Sequence, residues 1–371
     1  MKILIVMAGF FPGKKYGGPP VSIDNFCTLM GEHKIYIVTL NHDLFDSTPY
    51  QGVKTGWNNR GNCKVLYLSD SKYNKRTFEE VIKKIKPDLL YLQGLFQQCV
   101  LPCLQLAKSY NIKILLAPRG ELCYGAFRIN KYKKIPYIKL LRIMGLIKNV
   151  HFQSTSDEET EAIKELLGCP MSQIHKLDNI PSIPKKEYNR NKRVSGEGRF
   201  VFLARIHPKK NLLSAINYFN SVDGKVTFDI YGSIEDEAYW RECQEAIKRL
   251  PNNIKCAYKG LVPHDQVHEI FSQYDAFLFP TLSENYGHVI AESLIVGTQV
   301  IISDQTPWND VEENNAGFVC ILNDNDSFVK AIISIINDEQ DRSNEVKAYI
   351  NKKIHLEKIK QEYEITLSNI S

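Results

Sequence analysis

The feature that most limits what this chain can fold into is an alternation of short apolar runs with longer amphipathic stretches, which proceeds through the first half, stops, and restarts. In the first half the apolar runs are Ile3–Val6, Ile35–Leu40, Val65–Leu68, Leu89–Leu92, Ile112–Leu116 and Val150–Gln153, with helix-like patterns between them such as Phe78–Ile85 and Asp157–Leu167. Strands separated by helices pair in parallel, in a sheet covered on both faces. The segment Pro181–Arg199 (PSIPKKEYNRNKRVSGEGR) is polar, rich in charge, Pro and Gly, and without apolar periodicity, so it reads as a linker. Beyond it come Phe200–Leu203, Val226–Tyr231, Ile254–Tyr258, Asp275–Phe279, Gln299–Ile302 and Gly317–Cys320. Helices are expected at about Lys210–Asn220, Ala238–Leu250, His264–Gln273 and Tyr286–Val296. A chain of 371 residues exceeds one comfortable core. The expected fold class is therefore α/β, with two tandem Rossmann-like doubly wound domains, 1–180 and 199–345, facing a cleft and joined by a linker at 181–198. The tail 346–371 contains a charged helix, about Val346–Ile365, with no sheet partner of its own; it is a candidate to pack across both domains.

Composition narrows the class. Hydrophobic residues at 43% and charged ones at 24% describe a soluble globular protein. The nine cysteines are odd in number, no Cys-x-x-Cys occurs, and the closest pair, Cys99 and Cys103, has three residues between. Scattered thiols in a reducing cytosol fit this better than a disulfide scaffold or a zinc site. The start, MKILIVMAGFF, lacks a small-residue cleavage site and runs into Pro12, Gly13 and Gly17-Gly18, so a buried first strand entering a glycine loop is expected rather than a leader. No apolar run reaches the ~20 residues of a membrane span.

Three motifs carry the chemistry. The loop GFFPGKKYGGPP is not G-x-G-x-x-G, so a dinucleotide site is unsupported. Gly17 and Gly18 let backbone amides approach a phosphate, and Pro19 can begin the next helix; a plain tight turn fits equally well. The second motif, LARIHPKKNL, puts Arg205 and Lys210 between a strand end and a helix start, where open α/β sheets bind ligands. Two cations there can neutralise a diphosphate, Arg as a fork and Lys as a point charge; the alternative is a solvated basic turn. The third is PTLSENYGHVIAESLIVGTQVI, with Glu284 in a loop, Gly287 for close backbone approach, and Glu292 in the helix that follows. Carboxylates near a helix N-terminus accept hydroxyl hydrogen bonds while the amides face a phosphate. Glu292 alone would read as a surface residue, but together with Arg205 and Lys210 the pair points to an activated sugar. The sole Asp-x-Asp, Asp324–Asp326, precedes a helix and reads as a cap rather than a metal clamp.

The succession Gly17-Gly18, Arg205 and Lys210, Glu284 and Glu292 resembles the retaining glycosyltransferases of family four, which have GT-B architecture. The stretch GLVPHDQVHEIFSQYDAFLFPTLSENYGHVIAESLIVGTQVIISD is similar to that family's donor-binding core, and the resemblance is strong over 198–325 and weak over 40–180. It implies that Glu292 holds the ribose, and that Glu284, with the amides around Tyr286, Gly287 and His288, holds the transferred sugar. Arg205 and Lys210 would neutralise the diphosphate, and backbone near Gly232-Ser233 and Gly260-Leu261 would cradle the nucleotide. Where many members carry His-Gly, this chain has Arg119-Gly120 in LLAPRGEL, and Gln93 stands in LLYLQGLF where a His is common. Arg119 is therefore assigned the acceptor-side role. The implied reaction is retaining transfer of a hexose-type sugar from a nucleoside-diphosphate sugar to a glycan or lipid-linked acceptor in bacterial surface polysaccharide synthesis. No metal and no cofactor are expected, since the two cations neutralise the leaving group. A sugar-nucleotide epimerase of the same architecture and a non-catalytic nucleotide-sugar-binding partner are the alternatives.

Residues 128–148 (RINKYKKIPYIKLLRIMGLIK) hold seven Lys/Arg and no acid, and Leu140, Ile143, Met144 and Ile147 can share one helical face. Such a segment fits an anionic membrane surface, and equally a solvated face. With a net charge of only +5 and no nucleic-acid motif, nucleic acid is not an expected partner.

Overall fold

The computed structural model describes all residues except Ile183, Lys185, Asn191, Asn285 and Ser371. The chain divides into two compact units, Met1–Ile180 with Leu356–Ser371, and Pro181–His355.

The first unit contains β1 (Lys2–Val6), β2 (Lys34–Leu40), β3 (Trp57–Arg60), β4 (Cys63–Leu68), β5 (Leu89–Gln93), β6 (Lys113–Ala117), β7 (Val150–Ser154) and β8 (Ile174–Lys176). They form one sheet in the order β3-β4-β2-β1-β5-β6-β7-β8. Every pairing is parallel except the β3–β4 hairpin. Strand β1 lies inside, with Ile3 opposite both Ile35 and Leu89. Its Ile3, Leu4, Ile5 and Val6 are buried, which is why the sequence shows a continuous apolar run rather than an alternation. The helices carry their own stop signals. Asn74 caps Lys75–Ile85 by accepting from Thr77 N, and Ser156 caps Asp157–Leu167 from Glu159 N, with three acids in that first turn. Gly168, at φ 65°, closes the latter helix in the left-handed conformation.

The second unit contains β9 (Glu197–Leu203), β10 (Lys225–Tyr231), β11 (Ile254–Gly260), β12 (Ala276–Phe279), β13 (Gln299–Ser303) and β14 (Gly317–Cys320), all parallel, in the order β11-β10-β9-β12-β13-β14. The chain enters at the centre, winds outward through β10 and β11, then returns to the other side of β9. The order reverses between β9 and β12, and the crevice outside their carboxyl ends is where doubly wound sheets take ligands. Phe200, Phe219, Phe228, Phe271 and Phe277 are fully buried around this centre, Phe219 lying 5.4 Å from Phe200 and 4.8 Å from Phe228. Among the described residues no helix is long and apolar enough to cross a membrane.

Three features differ from the sequence expectation. Strands β3 and β8 lie at the two edges of the first sheet; WNNR and IHK are too short and polar to make an apolar run. The segment expected as a linker, 181–198, is bound to the second unit over much of its described length. Arg190 donates to Thr298 Oγ1 (2.6 Å) and Tyr274 O (2.9 Å), Arg193 donates to Ile335 O, and β9 begins at Glu197. Ile183, Lys185 and Asn191 of that segment lie outside the described residues. The expected single helix Val346–Ile365 is two helices, Ser343–Lys353 and Leu356–Ile370, parted at Ile354, whose backbone is extended (φ −106°, ψ 100°). Tyr349 and Lys353 hold the first helix to Asp310 in the second unit. The second helix belongs to the first unit, where Tyr363 bonds Gln153 Nε2 (2.9 Å) and Asp178 O (3.2 Å). The tail is thus shared out by helix rather than laid across both units as one rod.

Candidate functional site

The loops after β9, β10 and β11 are laced together by backbone. Ala204 N donates to Tyr231 O (3.1 Å), Ile206 N to Ser233 O (2.7 Å), and Gly232 N to Gly260 O (2.9 Å). Gly232 sits at φ 143°, and a Cβ there would lie 1.7 Å from Ala204 O, so the crossing of these loops requires glycine. The Tyr258 hydroxyl donates to Gly232 O (2.8 Å) and Leu261 follows Gly260 at the surface.

Across the switch point, Leu282 N donates to Lys209 O (2.9 Å), which joins the β12 loop to the β9 loop. That junction brings Lys210 Nζ into a close ion pair with Glu284 Oε2. The side chains are only 12% and 20% exposed, and the ammonium lies 5.3 Å over the Phe279 ring. Burial pulls the Lys210 pKa down, and the Glu284 carboxylate opposes that shift. Arg205 is more open; its Nη1 donates to both Glu235 oxygens at 3.1 Å. Each cation therefore has a carboxylate partner that an incoming phosphate can replace.

Gly287, at φ 77°, precedes the helix His288–Ile295, which has no side-chain cap and no acid in its first turn. A Cβ on Gly287 would approach Ile290 Cδ1 to 2.9 Å and Glu284 Cγ to 3.2 Å. Tyr286 is fixed by Trp308, whose Nε1 donates to Tyr286 O (2.5 Å) and whose ring lies 5.7 Å away; the His288 ring is 4.8 Å from Tyr286 on its other contact. Glu292 is 5% exposed, and its Oε1 lies 3.0 Å from His264 Nε2. Nearby His268 is buried, which lowers its pKa against the pull of Glu292.

Arg205, Lys210, Gly232, Leu261, Glu284, Tyr286, Gly287, His288 and Glu292 all fall in the second unit, on or just after loops leaving the carboxyl ends of β9 to β12. Lys210 touches Glu284 directly, whereas Arg205 turns to Glu235 and Glu292 to His264. Gly17, Gly18 and Arg119 belong to the first unit. Gly17, at φ 72°, is the N-cap of the helix Gly18–Leu29, and a Cβ there would meet nothing within 4 Å. Arg119 is held in the left-handed region (φ 56°) after β6. Its Nε donates to Gln93 Oε1 (2.7 Å), Nη1 to Asn179 Oδ1 (2.7 Å) and Nη2 to the Tyr91 hydroxyl (3.3 Å). Asp324 accepts from Asp326 N (3.1 Å) and Ser327 N (3.3 Å), the geometry of a helix cap. Glu235, His264 and Trp308 are partners that sequence reasoning missed. His264, standing directly after Pro263 in the loop leaving β11, carried a signal; the other two carried none.

Residues 185–353 match the family described as glycosyl transferases group 1. Over 149 residues, 38% of this chain and 38% of that protein, the sequence is 22% identical to O-antigen chain mannosyltransferase B of Escherichia coli. Among solved structures, Anabaena Alr3699/HepE in complex with UDP and glucose superposes with a TM-score of 0.74 at 15% identity, covering 100% of both chains. WaaG, a glycosyltransferase involved in lipopolysaccharide biosynthesis, does so with a TM-score of 0.66 at 11% identity, over 97% of this chain and 98% of that one. The chain has the fold of the GT-B glycosyltransferases, and residues 185–353 carry the sequence pattern of glycosyl transferases group 1.

Proposed function

We propose that the protein is a retaining, family-four type glycosyltransferase. It moves a hexose-type sugar from a nucleoside-diphosphate sugar to a glycan or lipid-linked acceptor of a surface polysaccharide such as an O-antigen, capsule or exopolysaccharide. The observation that carries this reading is the Lys210–Glu284 pair at the point where the second sheet reverses its order. The likeness to a protein solved with UDP and glucose, and to a mannosyltransferase of O-antigen chains, supports it.

In this reading Lys210 and Arg205 exchange their carboxylate partners for the diphosphate, and stabilise the charge that builds on it as the sugar–oxygen bond breaks. Both cations are already positioned by the β9 loop, so little reorganisation is needed at that moment. Glu284, relieved of the lysine, accepts from hydroxyls of the transferred sugar, with the amides around Tyr286, Gly287 and His288 beside it. Glu292 takes the ribose, and Gly232 and Leu261 border the nucleotide. The acceptor attacks the face the leaving group departs from, and the departing phosphate takes its proton. Arg119 serves the acceptor side by positioning Gln93, and Gly17 and Gly18 leave backbone amides open to a phosphate. No metal takes part. The nine free thiols, seven of them buried, suit a cytoplasmic setting.

The test is a binding screen of nucleotide sugars, followed by transfer to isolated membrane glycolipids. Lys210→Ala and Glu292→Ala are expected each to lower transfer by about 10²-fold or more. Unchanged transfer in both overturns the site, loss of activity with EDTA overturns the metal-free reaction, and a changed sugar from donor alone points to an epimerase.

A further inference from the structure

Six of the large hydrophobic side chains exposed in this protein fall between positions 124 and 144: Tyr124, Ile129, Tyr132, Leu140, Ile143 and Met144, with Ile143 85% exposed and Tyr124 72%. They lie on two consecutive helices of the first unit, Tyr124–Arg128 and Lys131–Ile143, and the residues adjoining them. The second helix already has an inward face. Ile138 and Leu141 are buried, and Ile147, expected from the sequence to lie with the outer residues, is buried as well. A solvated helix would carry polar residues on what remains. Here the outer side is aliphatic and aromatic, interleaved with cations.

Among the described residues those cations form no ion pair with an acid. Residues 128–148 hold seven Lys/Arg and no acid, and none of the described ion pairs includes one of them. Arg128 lies 5.4 Å over Tyr124 and Lys133 5.7 Å over Tyr132, so each ring carries a positive charge at its side. Apolar bodies with cationic heads are the composition that settles at the boundary between lipid headgroups and acyl chains. The patch is also anchored: Lys134 Nζ donates to Ala126 O (2.7 Å) and Glu121 O (3.4 Å), and Tyr124 N to Glu158 Oε1 (3.1 Å). It is therefore continuous with the turn that carries Arg119.

We infer that this patch docks the first unit on an anionic bilayer, with Tyr124, Ile129, Tyr132 and Ile143 entering the interface and the surrounding lysines and arginines facing lipid phosphates. The inference deepens the acceptor side of the proposed function: a lipid-linked acceptor would meet the Arg119 turn without leaving its bilayer. Its test does not depend on transfer.

The purified full chain is floated with vesicles of phosphatidylcholine alone and of phosphatidylcholine mixed with phosphatidylglycerol. Two variants accompany it, Tyr132→Ser with Ile143→Ser, and Lys131→Gln with Lys133→Gln and Lys139→Gln. All five positions are at the surface, and thermal melts confirm folding. Flotation is expected only with the anionic vesicles, weakened by salt, and reduced about tenfold or more in each variant. Absence of flotation, equal flotation with both vesicle types, or flotation unchanged in both variants overturns the inference. A dimer of the wild-type chain that both variants dissolve, without flotation, makes the patch a self-interface and overturns it too. If flotation behaves as expected while no donor supports transfer, the docking stands and the transferase reading falls.

Discussion

Lys210 is an ammonium group surrounded mostly by protein, with Glu284 as its ion-pair partner. Removing one partner from a largely buried pair strands the other charge, so Lys210→Ala is expected to cost about 2–4 kcal/mol of unfolding free energy. Lys210→Met combined with Glu284→Gln should cost less than the sum of the two single changes, a coupling that denaturant midpoints in a double-mutant cycle will read. Gly232→Ala places a methyl 1.7 Å from Ala204 O and should cost at least about 2 kcal/mol, visible as a lowered melting temperature. At this scale the sequence was informative about residue types and poor about partners. Lys210 and Glu284 stand in separate motifs, and nothing in either announces that they touch. The contact arises because β9 and β12 become neighbours, a fact of sheet order. Glu235 was invisible as the partner of Arg205 for the same reason, and the position of His264 after Pro263 marked the residue without naming Glu292 as its partner.

Elements buried on both sides were legible, as were the edge strands β11 and β14 of the second sheet, whereas the edge strands β3 and β8 of the first were not. β1, β5 and β13 declare themselves by unbroken apolar runs, whereas β8 shows three residues, Ile174–Lys176, and takes its place by pairing with β7. That edge carries a histidine pair. His151 Nδ1 lies 2.9 Å from His175 Nε2, with ring centroids 5.1 Å apart and planes 23° from parallel. These distances are met only when the two rings lie nearly edge to edge, sharing one proton between them. Burial lowers both pKa values from 6.5, with Lys113 adding to the effect at His151 and His151 at His175. A second proton would set two imidazolium N–H groups against each other. The unfolded chain takes up protons at higher pH than the folded one here, so the pair's contribution is complete above about pH 6.5 and is lost as pH falls below it toward the folded values. Denaturant midpoints measured from neutral to mildly acidic pH should fall more steeply for the wild-type chain than for His175→Gln.

For the whole molecule, the alternation of strands and helices was enough to give two doubly wound sheets, because each βαβ step buries its own apolar run and leaves a visible pattern. The allotment of the tail was not legible, since amphipathic helices look alike whichever core they cover. If the second unit holds a nucleoside diphosphate, UDP or GDP at about a hundred times its dissociation constant should stabilise that unit by about 2.7 kcal/mol, read as a rise in melting temperature. Lys210→Ala with Arg205→Ala should abolish the rise.

The division of the tail bears on how the protein is made. The first unit consists of residues at both ends of the chain, Met1–Ile180 and Leu356–Ser371, with all of Pro181–His355 in between. Tyr363, arriving from the far end, lies 5.6 Å from the Phe26 ring and satisfies the buried Gln153 amide. In order of synthesis, the sheet that emerges first must wait with that surface uncovered while Pro181–His355 is translated, and is completed only once the helix Leu356–Ile370 has followed. A chain ending at His355 should expose apolar surface to a hydrophobic dye and be cleaved by protease within Met1–Ile180, while Pro181–His355 persists as the resistant fragment.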